Sequence, residues 1–348
     1  MSKRPIIAVT MGDPAGVGPE IALKALAREE TWECCRPLIV GDARVMAKAM
    51  ALVNAPPTLH AITDAADARF DSAAPDVLDL GNADPAVLLP GKVSAIAGRA
   101  SVAYVEKAVE LAQAGQADAI ATGPINKAAL KAAGIPYIGH TELLVALTGE
   151  ERVTTMLATT GRRAEPVEAL RVVHVTRHVP LAEVARHITR ERVLETIRLT
   201  EVGLKQMAIE SPRLAVAALN PHGGDEGLLG REEIEAIGPA VEAAQSEGID
   251  ARGPIPADSV FFRAIRGEFD AVVAMYHDQG HIPIKTHGFE RSVTVTLGSP
   301  IVRTSVDHGT AFDIAWKGIA HEESMVEAIC LAAQLARQTS EVSQTSEV

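Results

Sequence analysis

The stretch "PIIAVTMGDPAGVGPEIALKAL", residues 5–26, runs from an apolar segment through a glycine-spaced loop into an amphipathic pattern. Its first six residues are too few for a helix and rich in Ile and Val, so they read as a buried strand. Pro19 suits the first turn of the helix that follows, because its missing N–H would have no partner there. The same order recurs along the chain. "PLIV", "DVLDL", "ADAIAT", "LRVVHVT", "RLAVAAL" and "FDAVVAMY" read as strands. "PEIALKALAREE", "ASVAYVEKAVELAQAG", "RERVLETIRLTEVGLKQMAI", "REEIEAIGPAVEAAQSEG" and "EESMVEAICLAAQLARQ" read as helices between or after them. Repeated strand–helix units predict an α/β fold, a largely parallel sheet covered on both faces. In such sheets ligands bind at the loops that leave the carboxyl ends of the strands.

The glycines of the opening loop, Gly12, Gly16 and Gly18, allow a ligand close to the backbone, and the helix N-terminus behind them offers N–H groups to an anion. The dinucleotide fingerprint is incomplete, since Ile21 stands where its third glycine belongs, and no Gly-Lys-Ser/Thr follows. A tight turn explains the loop as well as a cofactor does.

At 348 residues, two domains are expected. A net charge of −12 speaks against nucleic acid or an anionic membrane as partner and for a small substrate. Three cysteines, Cys34, Cys35 and Cys330, give neither a disulfide framework nor a paired zinc motif, which points to a reducing, cytoplasmic compartment. The apolar run in "MSKRPIIAVTMGD" is too short for a signal peptide or a membrane span. The polar stretch "GEERVTT", 149–155, is a candidate boundary, and the tail 338–348 is expected to be disordered.

Chemistry concentrates in the loops. His178 ("TRHVP"), His222 ("NPHGGDEG") and His277 ("YHDQGHIPIK", 276–285) each closely follow a predicted strand, with Asp225, Asp258 and Asp278 close in sequence. Three such imidazoles suit Zn²⁺ or another divalent Lewis acid; each alone reads sooner as a capping or hydrogen-bonded histidine. His174, His187 and His281 lack that context and read as structural or surface groups. His140, Thr141, Lys127, Lys285 and Arg303 are donors for an anion. Lys285 and Arg303 lie in apolar contexts, "HIPIKTHGF" and "LGSPIVRTSVDHG", where a charge needs a carboxylate or phosphate partner. In "SVDHGTAFDIAWKGIA", 305–320, His308, Gly309, Thr310 and Asp313 precede the last helix. Asp313 is either a ribose acceptor favouring NAD over NADP or a residue complementing a helix dipole.

Together, "MGDPAGVGPE", "ATGPINK", "GHTELL", "LNPHGGDEG", "GPIPADSVFF", "YHDQGHIPIK" and "RTSVDHGTAFDIA" resemble the 4-hydroxythreonine-4-phosphate dehydrogenase family over residues 5 to 335. The resemblance implies two α/β subdomains around a cleft, like isocitrate and isopropylmalate dehydrogenases. It implies a discontinuous cofactor-binding part, 1–150 plus 290–335, and a metal, substrate and dimerisation part, 151–289. It further implies a homodimer with the active site at the interface, His178, His222 and His277 as metal ligands with His277 supplied across that interface, and His140, Thr141, Lys285 and Arg303 at the substrate. Cofactors are then NAD and one divalent ion per site, Zn, Mg, Mn, Co or Ni. Gly12, Gly16 and Gly18 resemble one cofactor loop, and His308, Gly309, Thr310 and Asp313 the adenosine-binding loop. The family's Asn nine residues after the lysine is Thr294 here, and "DQGHIPIK" is more similar to catabolic paralogues acting on D-threonate and D-erythronate 4-phosphates.

The implied reaction oxidises the secondary hydroxyl of a 4-phosphorylated four-carbon hydroxy acid, and the β-keto acid then decarboxylates. Asp258 and Lys285 are the proton-transfer candidates, and Asp278 is expected to orient or neutralise the metal site. Alternatives are a cis-dihydrodiol dehydrogenase of the terephthalate type and a phosphate acyltransferase; retention of "GHTELL" favours a phosphorylated substrate.

Overall fold

Among the described residues there are twelve strands: β1 (Ile6–Thr10), β2 (Arg36–Gly41), β3 (His60–Ile62), β4 (Asp76–Asp79), β5 (Ala119–Thr122), β6 (Thr154–Thr159), β7 (Leu170–His174), β8 (Leu214–Ala217), β9 (Ala251–Ile255), β10 (Ala271–Ala274), β11 (Val293–Leu297) and β12 (Arg303–Val306). They belong to a computed structural model that describes residues 4–53, 55, 58–159 and 169–345, with side chains through Thr339. The chain divides into two compact units, residues 1–151 with 299–348, and residues 152–298.

In the first unit the strand order is β3-β4-β2-β1-β5-β12, and every neighbouring pair is parallel. Parallel strands joined by helices are covered on both faces and must be apolar on both. β1 meets this demand, with Ile7, Ala8 and Val9 fully buried. Helices Gly18–Leu26 and Ala95–Gln113 follow β1 and β4, where the sequence pattern puts them.

The second unit has the order β11-β6-β7-β10-β8-β9. β7, β10, β8 and β9 are parallel, whereas β6 runs antiparallel to both β7 and β11. The resemblance places β11 in the cofactor-binding part. Its register with β6, Val295 opposite Met156, instead makes it a strand of this unit, and Thr294 goes with it.

Two further expectations need correction. "YHDQGHIPIK" is not a loop: His277–Gly288 is a helix with Pro283 inside it. Proline removes one main-chain bond and strains the turn before it, but the helix continues past it. The tail expected to be disordered extends the helix Glu323–Thr345 through its polar residues, because propagation adds a bond for each residue fixed. Residues 346–348 lie outside the described residues. Among the described residues no helix is long and apolar enough to cross a membrane.

Candidate functional site

The register of the second unit explains which histidines meet. β10 lies beside β7 with Ala274 opposite His174, and beside β8 on its other side, so the segments after all three strands leave the same edge. His178 and His277 emerge there as neighbours, their ring centroids 6.0 Å apart. Imidazole is a ligand for divalent metals, so each of these rings can offer a nitrogen to a cation at this edge. His277 Nδ1 donates to Asp278 Oδ1 at 2.6 Å, the orienting contact expected of Asp278, which leaves Nε2 as the ring's open acceptor.

His222 stands apart from that pair. It is 72% exposed, with Nδ1 3.9 Å from Asp225 Oδ2, and among the described residues no three His, Cys, Asp or Glu side chains form a metal-binding group. Its loop is unusual in its backbone: His222, Gly223, Gly224, Asp225 and Glu226 all have positive φ, a left-handed turn that three non-glycine residues share. Each such residue costs of order 1–3 kcal/mol and persists only where its surroundings hold it. Buried Glu233 anchors the residues that lead into this loop, accepting from Leu219 N at 2.8 Å, Asn220 N at 2.7 Å and Asn220 Nδ2 at 2.9 Å. Burial pushes the Glu233 carboxyl up, but these hydrogen bonds prevail and keep it below its usual range.

Two histidines read as structural or surface groups join this edge. His281, one turn beyond His277, stacks on it at 3.6 Å with 10° between the rings and donates from Nδ1 to the His277 carbonyl at 3.0 Å. His174 lies 4.8 Å from the His281 ring, and its Nε2 is buried without a partner. Burial first, then the neighbouring His281, His277 and Arg177, lowers its pKa to about 3. Only the helix, which the loop reading missed, places residues four apart on one face.

The remaining candidates of this unit are dispersed. Asp258 is exposed in the first turn of helix Ala257–Ile265. Lys285 donates to Ser292 Oγ at 2.8 Å and lies 5.1 Å from the Phe289 ring centre. It lies eight positions beyond His277 in the helix, about 12 Å along the axis. Thr294 is partly buried in β11.

In the first unit, Arg303 on β12 is 3% exposed. Its Nε and Nη2 donate to Thr122 Oγ1 at 3.1 and 2.5 Å. Burial lowers its pKa to about 9. His140 opens the helix His140–Thr148, with Thr141 beside it, and its Nε2 is buried without a partner. Burial, then the charge of Arg303, holds the imidazole well below its ordinary pKa, against a hydrogen bond with the Gly123 backbone. The pair thus combines a disfavoured buried cation with a neutral imidazole, a setting that an anion would improve.

The glycine loop packs against the protein itself. A Cβ on Gly12 would stand 2.6 Å from the Pro124 oxygen, on Gly18 2.1 Å from the Met11 oxygen, and on Gly16 2.9 Å from Thr310 Cβ and O. Val17 N donates to the Thr310 carbonyl at 3.0 Å. The close approach these glycines permit is therefore made by the chain's own segments. Room for a cofactor lies further on: a Cβ on Gly309 would meet nothing within 4 Å, and His308 and Asp313 are exposed. An open main chain beside an exposed carboxylate fits the adenosine end of a dinucleotide.

Asp13, inside this loop, went unnoticed in the sequence. It is fully buried, Oδ1 accepts from Ala15 N at 2.8 Å, and Oδ2 has no partner. Burial raises its pKa from 3.8 to about 6, against the Ala15 hydrogen bond. The folded state then holds this proton more tightly than the unfolded state, so its contribution to stability is present below about pH 4 and lost as pH rises through 6. Relative to the wild type, Asp13→Asn is expected to gain about 2–3 kcal/mol between pH 4 and pH 7.5, read by denaturant unfolding at the two values. Equal differences at both pH values would show that Asp13 is ionised throughout.

The family model of the pyridoxal phosphate biosynthetic protein PdxA matches residues 33–332. A relative from Symbiobacterium thermophilum, named "Putative D-threonate 4-phosphate dehydrogenase", is 50% identical over 97% of this chain and 98% of its own. The crystal structure of a 4-hydroxythreonine-4-phosphate dehydrogenase from Burkholderia phymatum is 48% identical over 96% of this chain and 99% of that one, with a TM-score of 0.82. That of a terephthalate 1,2-cis-dihydrodiol dehydrogenase from Burkholderia xenovorans is 31% identical over 95% and 98%, with a TM-score of 0.61. The class so defined is that of α/β dehydrogenases acting on a CH–OH group. Within it, the chain belongs to the PdxA family.

Proposed function

We propose that the protein oxidises the secondary hydroxyl of a 4-phosphorylated four-carbon hydroxy acid with NAD, and that D-threonate 4-phosphate is its substrate ahead of D-erythronate 4-phosphate and 4-hydroxy-L-threonine 4-phosphate. The observation that carries the phosphate is Arg303, a guanidinium buried beside neutral His140. A dianionic phosphoryl group would accept from both and restore to Arg303 the stabilisation that burial removes. The name and 50% identity of the Symbiobacterium relative favour D-threonate among the three acids.

In this reading His178, His222 and His277 hold one divalent cation, with His277 contributed by the partner subunit of a homodimer. Bound there, the ion supplies Lewis acidity that lowers the pKa of the hydroxyl and stabilises the enolate left when the β-keto acid loses CO₂. Asp278 fixes the His277 tautomer. Thr141 adds a donor at the phosphate, and Thr294 stands where the biosynthetic enzymes have Asn. Asp258 or Lys285 takes the hydroxyl proton as hydride leaves for the nicotinamide, and returns a proton to the enolate carbon. His308, Gly309, Thr310 and Asp313 hold the adenosine end of NAD, backed by the loop of Gly12, Gly16 and Gly18.

The test is a parallel assay of the three acids with NAD and with Zn²⁺, Mg²⁺, Mn²⁺, Co²⁺ or Ni²⁺, before and after chelation. NADH formation is expected to be fastest with D-threonate 4-phosphate, to fall at least about 100-fold on chelation and to return with metal. Full turnover in chelator would end the metal reading. Oxidation of a cis-dihydrodiol alone, or acyl phosphate formation from an acyl coenzyme A without NADH, would replace the substrate and the reaction.

A further inference from the structure

The opening motif has a second component that the catalytic reading does not use. Glu20, in helix Gly18–Leu26, is fully buried, and both carboxylate oxygens point at one distant loop. Oε1 accepts from Trp316 N, and Oε2 accepts from Gly318 N at 2.7 Å. Lys24, one turn further along, donates from Nζ to the carbonyls of Gly318 at 2.9 Å and Ala320 at 2.6 Å. Trp316 Nε1 donates to the Pro14 carbonyl at 3.1 Å, and Val17 N to that of Thr310 at 3.0 Å. Every one of these bonds joins residues 14–24 to residues 310–320.

That loop needs an external hold. Ala311, Trp316 and Gly318 have φ of +42°, +63° and +70°, the first two without glycine's freedom. Non-glycine residues keep the left-handed conformation only where their surroundings over-determine it. The same loop opens with His308, Gly309, Thr310 and Asp313, whose cofactor role is the reading on which the present step rests.

We propose that Glu20 is a positioning residue for the dinucleotide: its carboxylate fixes the Trp316–Gly318 turn and thereby the place of Gly309 and Asp313. The strand–glycine–helix motif, which resembles a phosphate cradle, serves as the anchor of the adenosine loop instead. Glu20 touches no reacting atom in this assignment, and its effect falls on cofactor affinity.

Glu20→Gln keeps the shape but turns one acceptor into an amide donor facing a main-chain N–H. Calorimetric titration of the purified protein with NAD is expected to show Kd raised about tenfold, as for one lost buried hydrogen bond. In the assay above, KM for NAD should rise in parallel, while kcat stays within about twofold and KM for the phosphorylated acid is unchanged. Lys24→Met should shift NAD affinity about threefold in the same direction, and it carries the test if Glu20→Gln does not fold. Asp313→Ala separates this step from its premise. If NAD affinity is indifferent to Asp313→Ala, the cofactor role of 308–313 falls and that of Glu20 with it. If Asp313→Ala weakens NAD while Glu20→Gln does not, or if Glu20→Gln degrades both KM values and kcat alike, only the assignment of Glu20 is overturned.

Discussion

His222→Asn is expected to lower kcat by about 10³-fold or more at saturating substrate, while the thermal midpoint moves by less than about 2 °C. The choice of asparagine follows from the backbone. His222 sits at φ +54° in a run of five left-handed residues, and asparagine tolerates that region better than alanine does. Its side chain is 72% exposed, so no core contact is lost with the ring. A ligand that contributes several kcal/mol to the charge developing on the substrate oxygen corresponds to three powers of ten in rate. Inductively coupled plasma analysis of dialysed protein should show less than one ion per subunit in the variant and about one in the wild type. Turnover within tenfold of the wild type at saturating metal would remove His222 from the site, and with it the three-histidine reading. Loss of activity with full metal content would give it a role other than ligation.

The fold was legible wherever strands are contiguous apolar runs. "PIIAVT", "PLIV", "ADAIAT", "LRVVHVT" and "FDAVVAMY" became β1, β2, β5, β7 and β10. One strand that escaped has a polar face satisfied by distant partners. β12 reads "RTSV", yet Arg303, Thr304 and Ser305 are buried, Thr304 Oγ1 donating to the Ala328 carbonyl at 2.7 Å and Ser305 Oγ to that of Thr122 at 3.0 Å. Hydropathy cannot anticipate such bonds because the partners are remote in sequence. β6 and β11, "TTMLAT" and "VTVTL", are interrupted by threonines.

The candidate site was legible in the same measure. Histidines just beyond two adjacent parallel strands had to emerge side by side, and His178 and His277 do. The stacking of His281 was hidden by Pro283, which made a helix look like a loop. The glycines announced a close approach but not what approaches, and here it is Pro124, Met11 and Thr310. Asp13 and Glu20 carried no signal because a buried carboxylate and an exposed one are the same letter.

Arg303→Met is expected to make the protein more stable without ligand and to raise KM for the phosphorylated substrate about 100-fold. Methionine keeps the unbranched apolar stem and removes only the charged head. Burial is the cause of the lowered pKa, about 9, so the folded state disfavours the cation relative to the unfolded one. Stability therefore rises with pH between about 9 and the ordinary guanidinium value, and below 9, with the proton bound in both states, the full penalty is present. At pH 7 its removal is worth at least about 1 kcal/mol, or about 2–4 °C in a unit of this size. Thr122 is not orphaned by the change, since its hydroxyl also donates to the Thr304 carbonyl at 3.3 Å. In the complex the sign reverses, because a phosphoryl group that accepts from the guanidinium favours the charged form, and losing such a pair corresponds to about 2–3 kcal/mol of binding. Differential scanning fluorimetry at pH 7 with and without inorganic phosphate reads both effects at once: phosphate should raise the wild-type midpoint and leave that of the variant unmoved. A variant less stable than the wild type without phosphate, yet still stabilised by it, would place the anion elsewhere and make Arg303 a purely structural cation.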